Sequence, residues 1–210
     1  MEGPIRGIRF IHKAIVQEMD GLEAAAWELV TGTEDQLASI RSRLDFVEKV
    51  VHSHADGEDA AWFPALDQVA PFISRPYVLD HQNDQITFRD IGRLLSQLSA
   101  AGNDRERQEL AQRLYRQIVA LNATLRLHVW KEEEQLVPFT EEHFSPEAQG
   151  AIVSQAVQHA PPELRQEMLP WILRALDPEE QEEELRTIMG TMPPDAFRAL
   201  IPPDQGRVAC

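Results

Sequence analysis

The chain has 210 residues, a formal net charge of -15 and a single cysteine, Cys210. A negative charge of this size argues against a nucleic-acid backbone or an anionic membrane as a partner, and one cysteine excludes an internal disulfide framework. This length fits one domain, or one domain with a small appendage. We see no secretory signal pattern and no stretch of eighteen apolar residues, so we expect a cytoplasmic protein without a membrane span.

The first predicted helix runs from about residue 5 to residue 30. Its apolar residues recur at alternating steps of three and four, which is the pattern of one inward-facing helix face. His12 occupies one of these inward positions between Ile8 and Ile15. The pattern stops at Gly32, and Thr33 is the predicted cap of the next helix.

The second predicted helix carries a histidine and an acid one turn apart. The apolar stripe that starts at Leu37 runs through His54 and Glu58, and residues four apart lie on the same helix face. Proline disfavours helical geometry in the residue before it, so we expect this helix to end between Pro64 and Pro71.

The third and fourth predicted helices repeat the arrangement of the first two. The third begins near Arg75 and Pro76, and its stripe contains His81 followed by Asp84 or Gln85. The fourth runs from about residue 105 to residue 137. It carries His128 and Glu132 at the same four-residue spacing, again with a proline six residues after the acid.

Four long helices with short links predict an all-α, up-down-up-down four-helix bundle over residues 1–144. Prolines divide the rest of the chain, so we expect a C-terminal helical extension over 145–210, packed on the bundle. Its predicted helices span about 147–158, 163–176, 178–190 and 194–200. The acidic runs at 132–134, 179–180 and 182–184 most often mean solvated helix faces.

Four histidines and two carboxylates therefore occupy core positions of the predicted bundle. An unpaired buried carboxylate is costly, so two of them in an apolar seam need a cation, and a metal ion fits best. Six ligands exceed what one tetrahedral zinc ion uses, whereas two iron ions can share the acids as bridges. The predicted ligands are His12, His54, Glu58, His81, His128 and Glu132.

This pattern resembles the hemerythrin-like (HHE, cation-binding) domain over about residues 5–142. The resemblance implies that the six residues bind two non-haem iron ions (Fe2+/Fe3+) with an oxo, hydroxo or water bridge. Oxygen carriers of that family have a fifth histidine where this chain has Gln85, and their last acid falls on Glu133. Asp84 or Gln85 is an alternative replacement for the missing ligand, either directly or through water.

The departures from the carrier pattern leave three functions open. The first is binding or sensing of dioxygen, or activation of dioxygen or peroxide. The second is a di-iron oxygenase or oxidase that acts on a small organic substrate, and the third is iron sensing or storage. The resemblance leaves open whether the chain is an oxidoreductase and what its oligomeric state is.

Segments of the tail resemble the region that flanks such domains in plant iron-sensing ubiquitin ligases. These segments are 160–164, 169–171, 176–180 and 185–189. The cysteine-rich parts of those ligases have no counterpart here, so ligase activity is not implied. Trp62, Phe63 and Trp130 flank the acids and are candidates for walls of the iron pocket, while His52, His143 and His159 are not expected to be ligands.

Overall fold

A computed structural model describes residues 3–29, Gly32 and 34–191 of the chain. Within this part the chain is helical and contains no strand. A short 3-10 turn, Pro4–Gly7, precedes the first α-helix, and two π-helical segments, Glu58–Trp62 and Glu132–Leu136, interrupt the later ones. The α-helices are α1 (Ile8–Glu28), α2 (Glu34–Gly57), α3 (Phe63–Val69), α4 (Arg75–Ser99), α5 (Asp104–Lys131), α6 (Val137–His143), α7 (Pro146–His159), α8 (Pro162–Ala175) and α9 (Pro178–Thr191).

Two compact units make up the fold. The first comprises the described residues of Met1–Ala14, Ser53–Ser74 and Lys131–Cys210, and the second comprises those of Ile15–His52 and Arg75–Trp130. The second unit therefore contains the long parts of α1, α2, α4 and α5. Its core consists of the apolar stripes of these four helices, including Met19, Leu22, Ile40, Val47, Ile91, Leu95, Leu114, Ile118 and Leu121, which are all almost fully buried.

The four helices of the second unit run antiparallel to their neighbours. Arg41 donates a hydrogen bond to Ser99, whereas His52, further along α2, contacts Phe88, earlier in α4. In the same way, Asp20 of α1 accepts a hydrogen bond from Asn122 of α5, while the Trp27 ring contacts the Tyr115 ring in a tilted arrangement. Within this unit the helices thus form the up-down-up-down bundle that the sequence predicted.

The first unit contains the beginning of α1 with His12, the end of α2 with His54 and Glu58, the π-helical segment that opens with Glu132, and the tail. Helix α7 packs on the π-helical segment Glu58–Trp62 and on the 3-10 turn. Arg6 binds the carboxylate of Glu141 through two hydrogen bonds of 2.6 Å, and Arg9 pairs with Glu183 of α9. These contacts hold α6 and α7 on the 3-10 turn and α9 on the beginning of α1.

Polar caps start the tail helices at the positions that the prolines indicate. The Ser145 hydroxyl accepts a hydrogen bond from the backbone N–H of Ala148 at the start of α7. Asp177 accepts from the N–H groups of Glu179 and Glu180, while the Glu180 carboxylate accepts from the N–H of Asp177. This reciprocal capping box stabilises the first turn of α9.

Most predicted helix limits agree with the structure, with one clear error. The second predicted helix ends at Val69, inside the expected range, and the third begins at Arg75. The fourth was expected to end near residue 137, but helical structure continues to His143. Pro138 fails to stop it because a π-helical turn comes first, with the Val137 N–H bonded to the Glu132 carbonyl.

Some predictions lie beyond what the structure describes or tests. Thr33 and the predicted helix 194–200 lie outside the described residues. The division of the chain at residue 144 stays a prediction. No helix among the described residues is both long enough and apolar enough to cross a bilayer.

Candidate metal centre

Two histidines from different helices meet in the first unit. His12 comes from α1 and His54 from the end of α2, and their Nε2 atoms lie 3.0 Å apart. The rings are in a T-shaped arrangement with an interplanar angle of 76°. His12 is almost completely buried, and the side chain of His54 is 15% exposed. Both imidazoles therefore aim their outer nitrogen atoms at one small buried volume.

Two buried carboxylates complete this cluster. Glu58 Oε1 lies 3.2 Å from His54 Nε2, and Glu132 Oε2 lies 3.3 Å from His12 Nε2. Glu58 is 2% exposed and Glu132 is fully buried. One ligand atom from each of the four residues lies within 4.8 Å of the other three. The structure thus brings His12, His54, Glu58 and Glu132, four of the six predicted ligands, together.

The donor separations fit a bound metal ion. Nitrogen and oxygen ligands sit at about 2.0 to 2.2 Å from a transition metal, so neighbouring donors are about 3 Å apart. The observed separations of 3.0, 3.2 and 3.3 Å match this value. Two imidazole lone pairs that face each other beside two carboxylates repel one another unless a proton or a cation lies between them. The residues present therefore fit a metal ion.

Glu133 positions the His12 ring from its other side. Its Oε1 atom lies 2.8 Å from His12 Nδ1, an arrangement that holds the proton on Nδ1 and leaves Nε2 for a metal. Burial by itself lowers the pKa of His12, but hydrogen bonds to Glu132 and Glu133 and the charge of Glu58 raise it to about 9. A proton and a metal ion therefore compete for this histidine.

A second histidine pair lies in the second unit. His81 of α4 and His128 of α5 are both buried, and their Nε2 atoms lie 3.1 Å apart. Asp80 Oδ2 lies 3.2 Å from His128 Nδ1, which repeats the role of Glu133 beside His12. The Tyr77 ring is 6.1 Å from the His128 ring, centroid to centroid. Sequence reasoning missed Asp80, because its position one residue before His81 gives no sign of a contact with α5.

Asp84, not Gln85, belongs to the buried face of α4. Asp84 is 4% exposed and its Oδ1 accepts a 3.3 Å hydrogen bond from Thr124, whereas Gln85 is exposed. Burial raises the pKa of the Asp84 carboxyl to about 6, although the nearby His128, the Thr124 hydroxyl and His81 oppose the rise. Of the two residues named for the missing ligand, only Asp84 is on the side of the histidines.

Each acid of the predicted pairs is the first residue of a π-helical segment. Glu58 opens Glu58–Trp62 and Glu132 opens Glu132–Leu136, and in each the acid's carbonyl accepts from the N–H five residues later. Single π-helical turns inside α-helices are rare and occur frequently at functional sites. Pro64 and Pro138 come two residues after the ends of these segments. The wide π-helical turn therefore accommodates a proline, which lacks a backbone N–H.

The aromatic residues near the acids differ in their placement. Trp62 and Phe63 are buried, and the indole Nε1 of Trp62 donates a 2.8 Å hydrogen bond to Thr140. Trp130 is 55% exposed, so its side chain does not line a buried pocket in the second unit. His143 is exposed and stacks on Phe139, and His159 is exposed as well.

Comparison with protein families agrees with this geometry. The sequence model of the hemerythrin HHE cation binding domain matches residues 3–140. The chain belongs to this family. The hemerythrin HHE domain is a cation-binding domain. The buried histidines and glutamates of this chain are suitable ligands for a cation.

Relatives of this hemerythrin-like chain occur in Arabidopsis thaliana. The zinc finger protein BRUTUS is 28% identical over 203 residues, covering 83% of this chain and 16% of the plant protein. Two BRUTUS-like zinc finger proteins are 28% and 27% identical, covering 83% and 82% of this chain and 14% and 15% of their own lengths. This chain thus spans about a sixth of each relative. No solved structure matches it significantly.

The relatives' similarity extends into the tail. The match to BRUTUS covers 83% of this chain. That is more than the family model covers, which is 138 of the 210 residues. The similarity must therefore include part of the sequence after residue 140. The predicted resemblance of the tail to plant proteins is therefore confirmed for part of the sequence after residue 140.

Proposed function

We propose that this chain is a non-haem di-iron protein that binds and reacts with dioxygen. The observation that carries the proposal is the buried cluster of His12, His54, Glu58 and Glu132, with donor atoms at metal-ligand separations. Membership of a cation-binding family supports it independently. Imidazole with carboxylate is a ligand set that suits iron, and iron accepts more ligands than the four that zinc usually takes.

In this proposal each histidine pair holds one ion. His12 and His54 bind the first ion, and His81 and His128 bind the second. Glu58 and Glu132 would serve as ligands of both ions in this proposal, and each lies on the helix face of the histidine four residues before it. Two ions held in this way place a positive charge beside both buried carboxylates, which offsets the cost of burying them.

The chain's own residues would prepare the ions for dioxygen. Iron supplies the electrons that dioxygen takes up. Glu133 and Asp80 would hold the Nδ1 protons of His12 and His128 and so leave the Nε2 lone pairs to bind iron. Asp84, whose carboxyl has its pKa raised to about 6, is suited to accept and donate a proton near neutral pH.

Anaerobic reconstitution with Fe2+ followed by exposure to air tests the proposal. We expect loss of the ferrous state within the mixing time and a new visible absorption band. A band that disappears again when oxygen is removed identifies a carrier, and irreversible oxidation with consumption of a reductant identifies an oxidase. An Fe2+-loaded protein that air leaves unchanged would contradict the proposal.

Iron sensing is the second candidate, and the contacts of α1 favour it. The helix that carries His12 also carries Arg9 and Lys13, which pair with Glu183 and Glu180 of the tail helix α9. A metal ion that fixes His12 therefore also fixes the surface on which α9 rests, and ligand binding to the folded state raises stability. We expect chelation to lower the melting temperature and to speed hydrogen exchange in α9. Unchanged exchange in α9 would exclude this candidate.

A further inference from the structure

The first unit contains a cavity of about 180 Å³ between the beginning of α1, the end of α2 and the tail helices. Its wall is almost entirely aliphatic, with contributions from Ile8, Val153, Leu169, Ile172 and Ile188. His54 and Glu58 of the metal cluster, together with Trp62, line one part of it. The tail helices α7, α8 and α9 therefore complete a chamber that borders the metal ligands.

Polar groups of Glu184, Ser53 and Arg165 are set into this apolar wall, apart from those of the metal cluster. The carboxyl of Glu184 is in α9, and the residue is 8% exposed. The Ser53 hydroxyl and the Arg165 Nε are buried atoms that find no hydrogen-bond partner among the described residues. Buried polar groups normally have a partner, because leaving one unsatisfied is costly. Polar groups of this kind in an apolar chamber are typical of a ligand pocket.

Glu184 is the group in this wall whose burial is hardest to explain by packing alone. It lies in an acidic run of α9 and points toward Gly7, where its Oε2 would lie 3.8 Å from an added Cβ atom. Both Gly7 and Glu184 line the cavity. Burial and the charge of Glu183 raise the pKa of Glu184 to about 8, so the group is mainly uncharged at neutral pH and can both donate and accept a hydrogen bond.

We propose that this cavity binds a small uncharged organic molecule, about the size of a substituted benzene ring, whose hydroxyl or carbonyl group hydrogen-bonds to Glu184. The size follows from the volume, because a dry apolar cavity of about 150 Å³ holds one benzene molecule. We assign the bound molecule a single polar group because the wall of the cavity has few polar atoms. The bound molecule lies against His54 and Glu58, which makes it a neighbour of the metal centre.

Binding in this cavity does not depend on the proposed di-iron chemistry. Its walls are protein side chains, so the probe is expected to bind metal-free protein as well as protein loaded with Fe2+. The test uses benzyl alcohol and toluene, which share a ring of the right size and differ in the hydroxyl group. Binding is measured by calorimetry and by the NMR signal of the His54 ring, with the exposed ring of His143 as an internal reference.

Variants of two wall residues decide the outcome. Val153→Phe fills the cavity, and Ala151→Phe adds the same side chain to an exposed position of α7 that does not line it. Glu184→Leu removes the polar partner. All variants are first checked for unchanged helical circular dichroism.

We expect saturable binding of one benzyl alcohol molecule per chain, a shift of the His54 signal and no shift of the His143 signal. Val153→Phe should weaken binding at least about tenfold, and Ala151→Phe should leave it unchanged. Wild type should prefer benzyl alcohol over toluene by about three- to tenfold, and Glu184→Leu should remove that preference. Absence of saturable binding, or equal effects of the two phenylalanine variants, would overturn the proposal even if the metal centre is confirmed.

Discussion

The Nε2 atoms of His12 and His54 lie 3.0 Å apart, although 42 positions separate the two residues in the sequence. His12 is held from behind by Glu133, and each of the two rings has a glutamate oxygen within 3.3 Å of its Nε2. Helix packing in the first unit thus assembles a set of donors around one point. Five consequences of this arrangement and of the fold around it can be measured.

Replacing Glu133 should weaken metal binding although Glu133 is not one of the six ligands. Glu133→Gln removes the carboxylate that fixes the Nδ1 proton of His12, and changes of this kind typically cost about 10- to 100-fold in metal affinity. Glu134→Gln, the same change at an exposed neighbouring position, is the matched control. The measurement is competition for Fe2+ with a chelator. Equal affinities for the two variants would show that Glu133 does not position His12.

Metal binding should release a proton from His12. Its raised pKa of about 9 means that the metal-free protein is protonated there at neutral pH. The pKa rise stabilises the metal-free fold fully below the unfolded value of 6.5, and this contribution is lost as the pH rises toward 9. We therefore expect the apparent affinity for Fe2+ to increase from pH 6.5 to pH 9. Calorimetry in buffers of different ionisation enthalpy counts the released proton, and a heat independent of the buffer would refute the prediction.

Gly57 should not tolerate a side chain. A Cβ atom added there would lie 2.7 Å from the carbonyl oxygen of Ala156, so the end of α2 packs directly on the backbone of α7. Gly57→Ala should lower the free energy of unfolding by about 1–3 kcal/mol despite the better helix propensity of alanine.

Gly150 provides the matched control for Gly57, because it lies within α7 and an added Cβ meets nothing within 4 Å. Gly150→Ala should be neutral or stabilising by up to about 1 kcal/mol. Urea denaturation of both variants makes the comparison. A Gly57→Ala protein as stable as Gly150→Ala would mean that α7 does not pack so closely.

The burial of Glu184 should give the fold a recognisable pH dependence. Its pKa is raised from 4.5 to about 8, first by burial and then by the charge of Glu183, so the folded state holds a proton that the unfolded chain loses. This contribution is fully present below pH 4.5 and disappears as the pH rises through 8. At pH 9 we expect Glu184→Gln to be more stable than wild type by about 2–4 kcal/mol.

The control for Glu184 is Glu182→Gln, which removes a charge from an exposed side chain of the same helix. Its pH profile of stability should follow that of wild type. Thermal unfolding between pH 5 and pH 9 distinguishes the two. Parallel profiles for wild type and Glu184→Gln would show that Glu184 is ionised in the folded state without cost.

Helical periodicity singled out the buried polar residues because a polar side chain is conspicuous within an apolar stripe. His12, His54, Glu58 and Glu132 stand at inward positions of regular three- and four-residue repeats, and the structure brings these four together. The repeat also predicted the antiparallel helices of the second unit, since short links leave little choice of direction.

Features that depend on tertiary contacts were beyond the sequence. The roles of Asp80 and Glu133 arise from neighbouring helices, and nothing in their local spacing indicates a histidine partner. Pro138 was read as a helix end, but the π-helical turn from Glu132 to Leu136 carries the chain past it. Glu184 was taken as part of a solvated acidic run, although it shares a helix face with Ile188, four residues later, and is buried.

Metal content per chain tests the central claim most directly. The protein is loaded anaerobically with Fe2+, freed of excess metal and analysed for iron, together with a Glu58→Gln, Glu132→Gln double variant. We predict two iron ions per chain in wild type and fewer than one in the double variant, because both ions depend on the shared carboxylates. Wild-type protein that retains less than one iron ion per chain, or a double variant that retains two, would contradict the account.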